Sequence, residues 1–498
     1  MAIRYTGIVT NSAEADMRPD YRPATAVGWT WMAWSAAVLM ALIVSLTVLR
    51  NPVQVTDSLI PILKVQDAST WEVFMAKIDN VGFFRPLYWV QIKLLLEASG
   101  GRYALAYKSF HVLCVALLFV LFVCAARVRS KDDAIAFTFA LVVLTGMHSF
   151  LGMVWEGYPV NHYLEIAVFS LAALVLCQSS GGVVADIAAA LLFVIASLTL
   201  DSGLLVWVVF VAARLVGLRG VSWRGVAMTT ALLAVYMALR FVVFDIGSPG
   251  VGERAVGFGF SRIEPAEIER RFVATGHLYY FYLYNVISAF ASVFLSEPIS
   301  GRWMLTQRVI DSGVDRMVAT SIVSALVATG LLVRFAIARR RDWAARQFDH
   351  GDQLVLMCMA VALGNATMCF SYVKDEVMST AGVFYALAVF AAMRGALTQW
   401  SEVQGRAAVA TALTIVLFAG SAAWTIRTTG SQYQMLRIGT VDRYEWAHVD
   451  EWLVQQHQTP TSAQGAQLVH DLRDQAMRTR PRSVLYVPRW TVRWFIPE

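Results

Sequence analysis

The sequence predicts an all-α protein that crosses a membrane many times. Three observations carry this. Of 498 residues, 57% are hydrophobic and only 15% are charged, a composition unlike that of a soluble domain of this size. Several windows of about 18 or more residues are nearly free of charge, the length an α-helix needs to cross a bilayer. Lysines and arginines gather in short segments between those windows, as they do in the loops of membrane proteins. The formal charge of +6 is therefore spread over loops, and no nucleic-acid partner is expected. Cys114, Cys124, Cys177, Cys358 and Cys369 fall inside or at the ends of apolar runs. No pair has metal-ligand spacing, so they read as small buried hydrophobes.

Taken in order, residues 1–27 are polar and contain Pro19 and Pro23. They form an N-terminal tail. The run 28–49 lacks a small-residue cleavage site and is long for a signal peptide, so it reads as a retained first span. Further apolar runs at 104–126, 133–151, 160–177, 183–200, 203–218, 225–244, 317–336, 353–371, 378–394 and 406–424 bring the expected number to eleven. Three basic segments set the direction: Arg127 to Lys131, Arg214 to Arg224, and Arg339-Arg340-Arg341. The positive-inside rule makes all three cytoplasmic. The N-terminus is then cytoplasmic and the C-terminus external, in a multi-pass protein of the inner or plasma membrane. A crossing at 277–295 would carry Arg339–Arg341 outside. That run, which starts with four tyrosines (HLYYFYLY), is therefore read as a re-entrant, interfacial or external-facing helix.

The expected domains are the tail 1–27, a bundle over 28–424 with external loops 50–103 and 245–316, and an external region 425–498. The last reads as a small α+β cap, because SVLYVPRWTVRWFIPE alternates apolar and basic residues like a short strand. Cytoplasmic loops are short and hold no ATP-binding motif, so chemistry or recognition belongs to the external face.

That face collects acids and bases. Asp57 follows the first span by about eight residues. Leu59 to Leu96 is amphipathic enough to lie on the surface, and Phe83, Phe84, Tyr88 and Trp89 suit headgroup depth. Arg85 sits among them, before Pro86, which suits the first turn of a helix. An arginine so held pairs bidentately with a phosphate, or simply anchors the chain to headgroups. The next external loop carries Glu156, Asn161, His162 and Glu165. His162 and Glu165 are three apart on one helix face, and an acid that deep is costly unless it is paired or lines a wet cavity. Asp201, Lys374, Asp375 and Glu376 add to the same side. Arg270 and Arg271 contact a pyrophosphate or sit at the interface.

The order of these features resembles the polytopic glycosyltransferases of the GT-C superfamily, and more closely bacterial relatives of the protein O-mannosyltransferases and of the transmembrane mannosyltransferases that bear tetratricopeptide repeats. Where the family has an acidic pair in its first loop, this chain has the single Asp57. The family's Arg-Pro-Leu matches Arg85-Pro86-Leu87, and its second-span histidine matches His111. A later Arg-Tyr-x-Tyr-x-Pro-Ser-x-Gly element is echoed by Ser371-Tyr372 through Gly382, with Lys374 in place of the family's arginine. The resemblance covers about 28–395. The tail is too short for a repeat array. The resemblance implies a GT-C-like helical bundle that transfers a sugar from a polyprenyl-phosphate donor to a glycan, lipid or protein acceptor at the external face, with inversion. It implies Asp57 as the base, with Glu156 as a further candidate catalytic residue. Arg85, His111, Lys374, Arg270 and Arg271 become candidate donor-phosphate residues. A divalent cation is a possible cofactor. The alternatives are a transporter or flippase, another component of envelope polysaccharide assembly, or a lipid-linked glycan polymerase or ligase.

Overall fold

The computed structural model describes residues 24–55, 57–75, 84–155, 159–247, 251, 254–295, 297, 299–402 and 407–478. The described chain is helical almost throughout. In order the helices are α1 (Ala24–Arg50), α2 (Leu59–Gln66), α3 (Thr70–Met75), α4 (Pro86–Ala98), α5 (Tyr103–Ala126), α6 (Lys131–Gly146), α7 (His148–Trp155), α8 (His162–Cys177), α9 (Val183–Thr199) and α10 (Leu205–Leu215). They continue with α11 (Trp223–Ala238), α12 (Pro265–Ile268), α13 (Leu278–Leu295), α14 (Met304–Ser312), α15 (Arg316–Ala344), α16 (His350–Met368), α17 (Ser379–Glu402), α18 (Ala407–Ala447), α19 (Val449–Gln455) and α20 (Ala463–Arg478). A two-stranded antiparallel hairpin, β1 (Val256–Phe258) and β2 (Ser261–Ile263), pairs Gly257 with Arg262.

The protein is a multi-pass membrane protein. Six described helices are long and apolar enough to cross, or seven if α6 and α7, bent by 65° at their junction, form one broken span. That corrects the expected eleven. The physical reason is length: a 30 Å hydrocarbon core needs about 20 helical residues, and the runs at 160–177, 183–200 and 203–218 yield helices of 16, 17 and 11 residues. Of these, α8 is largely buried in the bundle, whereas α9 keeps Val183, Val184, Ile187 and Leu191 exposed.

The bundle is built around α17. In its apolar window, Glu376–Gln399, 94% of residues are buried, against 33% for α1, so α17 is enclosed on all sides while α1 keeps a lipid-facing side. Around it pack α6, α7, α8, α15 and α16. One end of the bundle is basic and tightly capped. Ser130 and Asp133 form a capping box at the start of α6, and Asp349 and Asp352 form another at α16. Asp352 is fully buried. Arg339 grips it with two hydrogen bonds, of 3.0 and 2.7 Å, and the Trp343 indole donates to it at 2.8 Å. Arg394 reaches Asp133 at 3.8 Å.

At the opposite end, the first loop and the C-terminal helices share a second core. Leu59, Ile62 and Ile92 pack with Trp446, Leu453 and Leu472, and the Trp446 indole donates to the Val53 carbonyl at 2.6 Å. Two expectations change here. The boundary at 424 is not a break, because α18 runs unbroken from Ala407 to Ala447. It carries Trp424 and Arg427 into the bundle, both fully buried. The described part of the expected α+β cap consists of helices joined by a short non-helical segment, and the predicted strand over 483–498 lies outside the described residues.

The run at 277–295 becomes α13, apolar and 18 residues long. Its first turns meet the hairpin end, where Phe281 stacks on Phe258 and lies tilted against Phe272. Its last turn lies beside the middle of α15, where the Phe294 carbonyl accepts from the Thr329 hydroxyl. The chain then returns to the end at which it entered. The Gly301 carbonyl accepts from Tyr284 in α13, and the Ser300 amide donates to Asp375 at 3.0 Å. Helix and return segment together bring residues 299–301 back to the hairpin end, and α13 is itself one of the six helices long and apolar enough to cross.

Candidate functional site

The site is assembled at the end of the bundle opposite Arg339. Arg85 caps α4 with φ −134° and ψ 54°, a non-helical backbone that a following proline favours. Pro86 then takes the first helical position, where its missing N–H costs nothing. Phe84 fixes this corner. Its ring packs on Phe244 at 5.4 Å and Tyr236 at 5.9 Å, above an ion pair in which buried Arg240 holds Asp201. The expectation that the aromatics sit at headgroup depth is corrected for two of them. Phe84 points into the bundle, and Tyr88 is buried edge-on against His162 at 4.9 Å. Their apolar area is worth more against protein than against a wet headgroup layer. Phe83 lies outside the described residues.

Arg85 and Lys374 converge. Both charges lie within electrostatic reach of the His162 ring and of Tyr372. Arg254, from the loop before β1, completes the group with its guanidinium 4.9 Å over the Tyr372 ring, a cation–π placement. Burial pushes the Tyr372 phenol above its ordinary value, while Arg254, Arg85 and Lys374 each pull it back and Glu376 adds to the push. Lys374 meets Glu376 at 2.7 Å. Beside it, Asp375 receives the Ser300 amide, and burial pushes its carboxyl up to about 7. Arg254 thus stacks over a half-buried tyrosine whose phenol also feels the charges of Arg85 and Lys374.

A polar ladder lies next to this group. Asn161 caps α8 by accepting from the Leu164 amide at 3.0 Å. Its amide nitrogen donates to the Met153 carbonyl at 2.5 Å and lies 3.4 Å from His111 Nε2. Glu165, 3% exposed, takes a hydrogen bond from Gln91 at 2.8 Å, and its second oxygen has no partner among the described residues. His111 therefore sits in this ladder through Asn161.

The other expected residues fall elsewhere. Asp57 is exposed, and its charge bears on Glu445 of α18. Glu445 accepts from the Val55 amide at 3.4 Å, and burial, aided by Asp57, pushes its carboxyl up. The second acid that the first loop lacks thus arrives from 388 residues away in sequence, and Asp57 faces it rather than a cation. Arg270 and Arg271 are exposed and both turn to Glu267, at 3.7 Å for Arg270. They read as surface charges. Glu156 lies outside the described residues. Among the described residues no three His, Cys, Asp or Glu side chains cluster to hold a metal ion.

Sequence reasoning overlooked three groups. Arg254 sits in a glycine-flanked stretch with no periodicity to place it, and only the hairpin brings it to Tyr372. Gln91 became visible only as the partner of Glu165. Arg427 is fully buried in the bundle. It donates to Ser324 at 2.9 Å and lies 4.3 Å over the Trp424 ring. A lone arginine at the edge of an apolar run was the available signal.

No family model, curated protein or solved structure matches this chain.

Proposed function

We propose that this protein transfers a sugar from a polyprenyl-phosphate donor to an acceptor at the Arg85 end of the bundle, and that this end is the external face. The convergence of Arg85, Arg254 and Lys374 on Tyr372 is the observation that carries the reading. A lipid-linked donor keeps its tail in hydrocarbon and its phosphate at the rim, and a departing phosphate needs fixed cations. Arg85 supplies a fork held by Pro86 and Phe84, Lys374 a point charge, and Arg254 a third charge braced on the ring. The basic Arg339 end is then cytoplasmic, in line with the positive-inside rule.

In the reaction, the acceptor hydroxyl attacks the anomeric carbon from the face opposite the phosphate. The bond to the phosphate oxygen breaks, and the electron pair leaves on the phosphate, where the three cations neutralise it. The acceptor proton passes to a carboxylate. Asp57 is our candidate base from the resemblance and from its exposure, although it stands by Glu445 and not by the cations, and Glu165, in the polar ladder beside the cations, is the buried rival.

The test uses purified protein in lipid nanodiscs and a panel of polyprenyl-phosphate sugars. Wild type should bind at least one donor and transfer its sugar. Arg85→Ala and Arg254→Ala should lose binding and transfer together, whereas Asp57→Asn should lose transfer with binding retained. A wild-type protein that binds no member of the panel refutes the reading. Asp57→Asn with full transfer moves the base to Glu165, and Glu165→Gln then tests that.

A further inference from the structure

Between α13, α15 and α16 lies a space that runs along the flank of α13 from Val286 to Leu295 and past its tip to Trp343 near the Arg339 end. That space is a cleft of about 680 Å³ lined by Phe290, Phe294, Leu332, Val333, Ala336 and Trp343, among others. Its size is that of sites that hold drug-sized ligands, about 300–1,000 Å³. The lining is apolar apart from the Thr329 hydroxyl, which is already bonded to Phe294. Water gains nothing there. A second hollow on the outer side of α15, lined by Leu326, Gly330, Val333, Arg334 and Ile337, adjoins it through Leu295 and Thr329.

The foot of the cleft is cationic in a specific register. Along α15, Thr329, Val333, Ala336, Arg340 and Trp343 follow one another at steps of three and four, so they form one stripe. Arg340 therefore stands between two residues that line the cleft. Ile337 and Arg341 continue the neighbouring stripe in the same way. Arg339 is committed to Asp352, Asp349 and Asp342. Arg340 and Arg341 are exposed, and among the described residues neither carries an ion pair.

We infer that this cleft is a binding site for an anionic phospholipid of the leaflet at the Arg339 end, with one acyl chain under α13 and its phosphate between Arg340 and Arg341. The observations favour a phospholipid over a soluble ligand. The cleft lies within the spans, its lining offers hydrocarbon contacts and no charge, and the charges that helical register sets beside its foot are cations, as in the basic pockets between spans that take anionic heads. The lipid fills the volume beside α13, and so supports the hairpin of α13 and the return segment that carries Ser300 to Asp375. The inference does not rest on the glycosyl-transfer reading, since Arg340 and Arg341 stand at the opposite end of the bundle from the three cations.

The experiment is native mass spectrometry of the full-length protein, reconstituted with palmitoyl-oleoyl phosphatidylglycerol or with phosphatidylcholine of the same chains and then stripped with detergent. One phosphatidylglycerol should stay bound, in preference to phosphatidylcholine by roughly tenfold or more. Arg340→Gln with Arg341→Gln should bring that ratio close to one. Ala336→Trp should remove the retained lipid of either kind with the melting temperature within a few degrees of wild type. If that variant does not fold, the milder Ala336→Leu should still lower retention several-fold. Equal retention of the two lipids by wild type overturns the proposal, as does full retention by the filled variants. One-for-one displacement of phosphatidylglycerol by a polyprenyl phosphate also overturns it, because the cleft would then belong to a donor tail.

Discussion

Glu376→Gln should tighten the binding of a phosphate-bearing donor, although it removes a buried charged residue at the site. Glu376 is 7% exposed and holds the Lys374 ammonium at 2.7 Å, with Lys374 the more exposed partner. A bound phosphate competes with that carboxylate for Lys374 and is repelled by it. Two unit charges about 4 Å apart, at an effective dielectric of about 20, interact by about 4 kcal/mol. Exposure and salt reduce this to the roughly 1.5–3 kcal/mol typical of a hydrogen bond to a charged group. Glutamine keeps the shape and a hydrogen-bonding oxygen but not the charge, so affinity should rise by about 1.5 kcal/mol, the low end of that range, or roughly tenfold. Lys374→Met should do the reverse and more. It removes one of three cations and leaves Glu376 uncompensated beside the anion, for a loss of about 3 kcal/mol, roughly a hundredfold. The double variant Lys374→Met, Glu376→Gln should return to about a tenfold loss, the cost of one cation, and match Arg85→Ala. The assay is titration of a short-chain polyprenyl-phosphate sugar into protein in nanodiscs, at low and at high salt. Affinity that is unchanged or weaker in Glu376→Gln would refute the shared anion site, whatever the other variants do.

Asp375→Asn should flatten the pH dependence of donor affinity. Asp375 is neutral below about 7 and charged above, so wild-type affinity should fall as pH rises through that value, while the donor phosphodiester keeps its charge throughout. The same sign holds for stability: a carboxyl raised above its ordinary value of about 3.9 gives its full stabilisation below that value and loses it as pH rises through about 7. A wild-type affinity that is flat between pH 6 and 8 would contradict this. Asp352→Ala takes from Arg339 the buried one of its three carboxylate partners and removes four hydrogen bonds, from Arg339, Trp343 and the Asp349 amide. It should cost about 2–3 kcal/mol, read as a lower melting temperature in detergent, and an unchanged melting temperature would count against the buried-carboxylate geometry. Gly203→Ala would drive a Cβ into the Ala196 carbonyl. Because the obstacle is backbone, little or no folded protein should be recovered, and a normal yield on size-exclusion chromatography would show that the turn between α9 and α10 gives way.

Membrane class was legible in the sequence because it depends on a one-dimensional quantity, the length of chain that can lie in hydrocarbon without charge. The two ends of the bundle were legible for the same reason. Arg127, Arg339 and Arg394 gather near Asp133 and Asp352 at one end, and Arg85 and Lys374 near Tyr372 at the other. The number of crossings was not legible. An apolar run such as 203–218 has the same composition whether lipid or protein covers it, and only packing decided that α10 stops after 11 residues.

Local rules placed single residues well and pairs of residues poorly. Pro86 located Arg85 at the start of a helix, because proline fixes its own backbone and constrains the residue before it. Spacing along one helix put His162 and Glu165 on a common face. Nothing local could bring Arg254 to Tyr372, Glu445 to Asp57, or Arg427 to Ser324, which are separated by 118, 388 and 103 residues of chain. Each meeting depends on which helices pack around α17 and where the chain turns back. The sequence by itself therefore determined what each segment can bury and where its charge must stay wet. Tertiary structure alone decided which charges share a rim, because a contact between distant segments is stabilised by the whole packed bundle and not by the residues that make it.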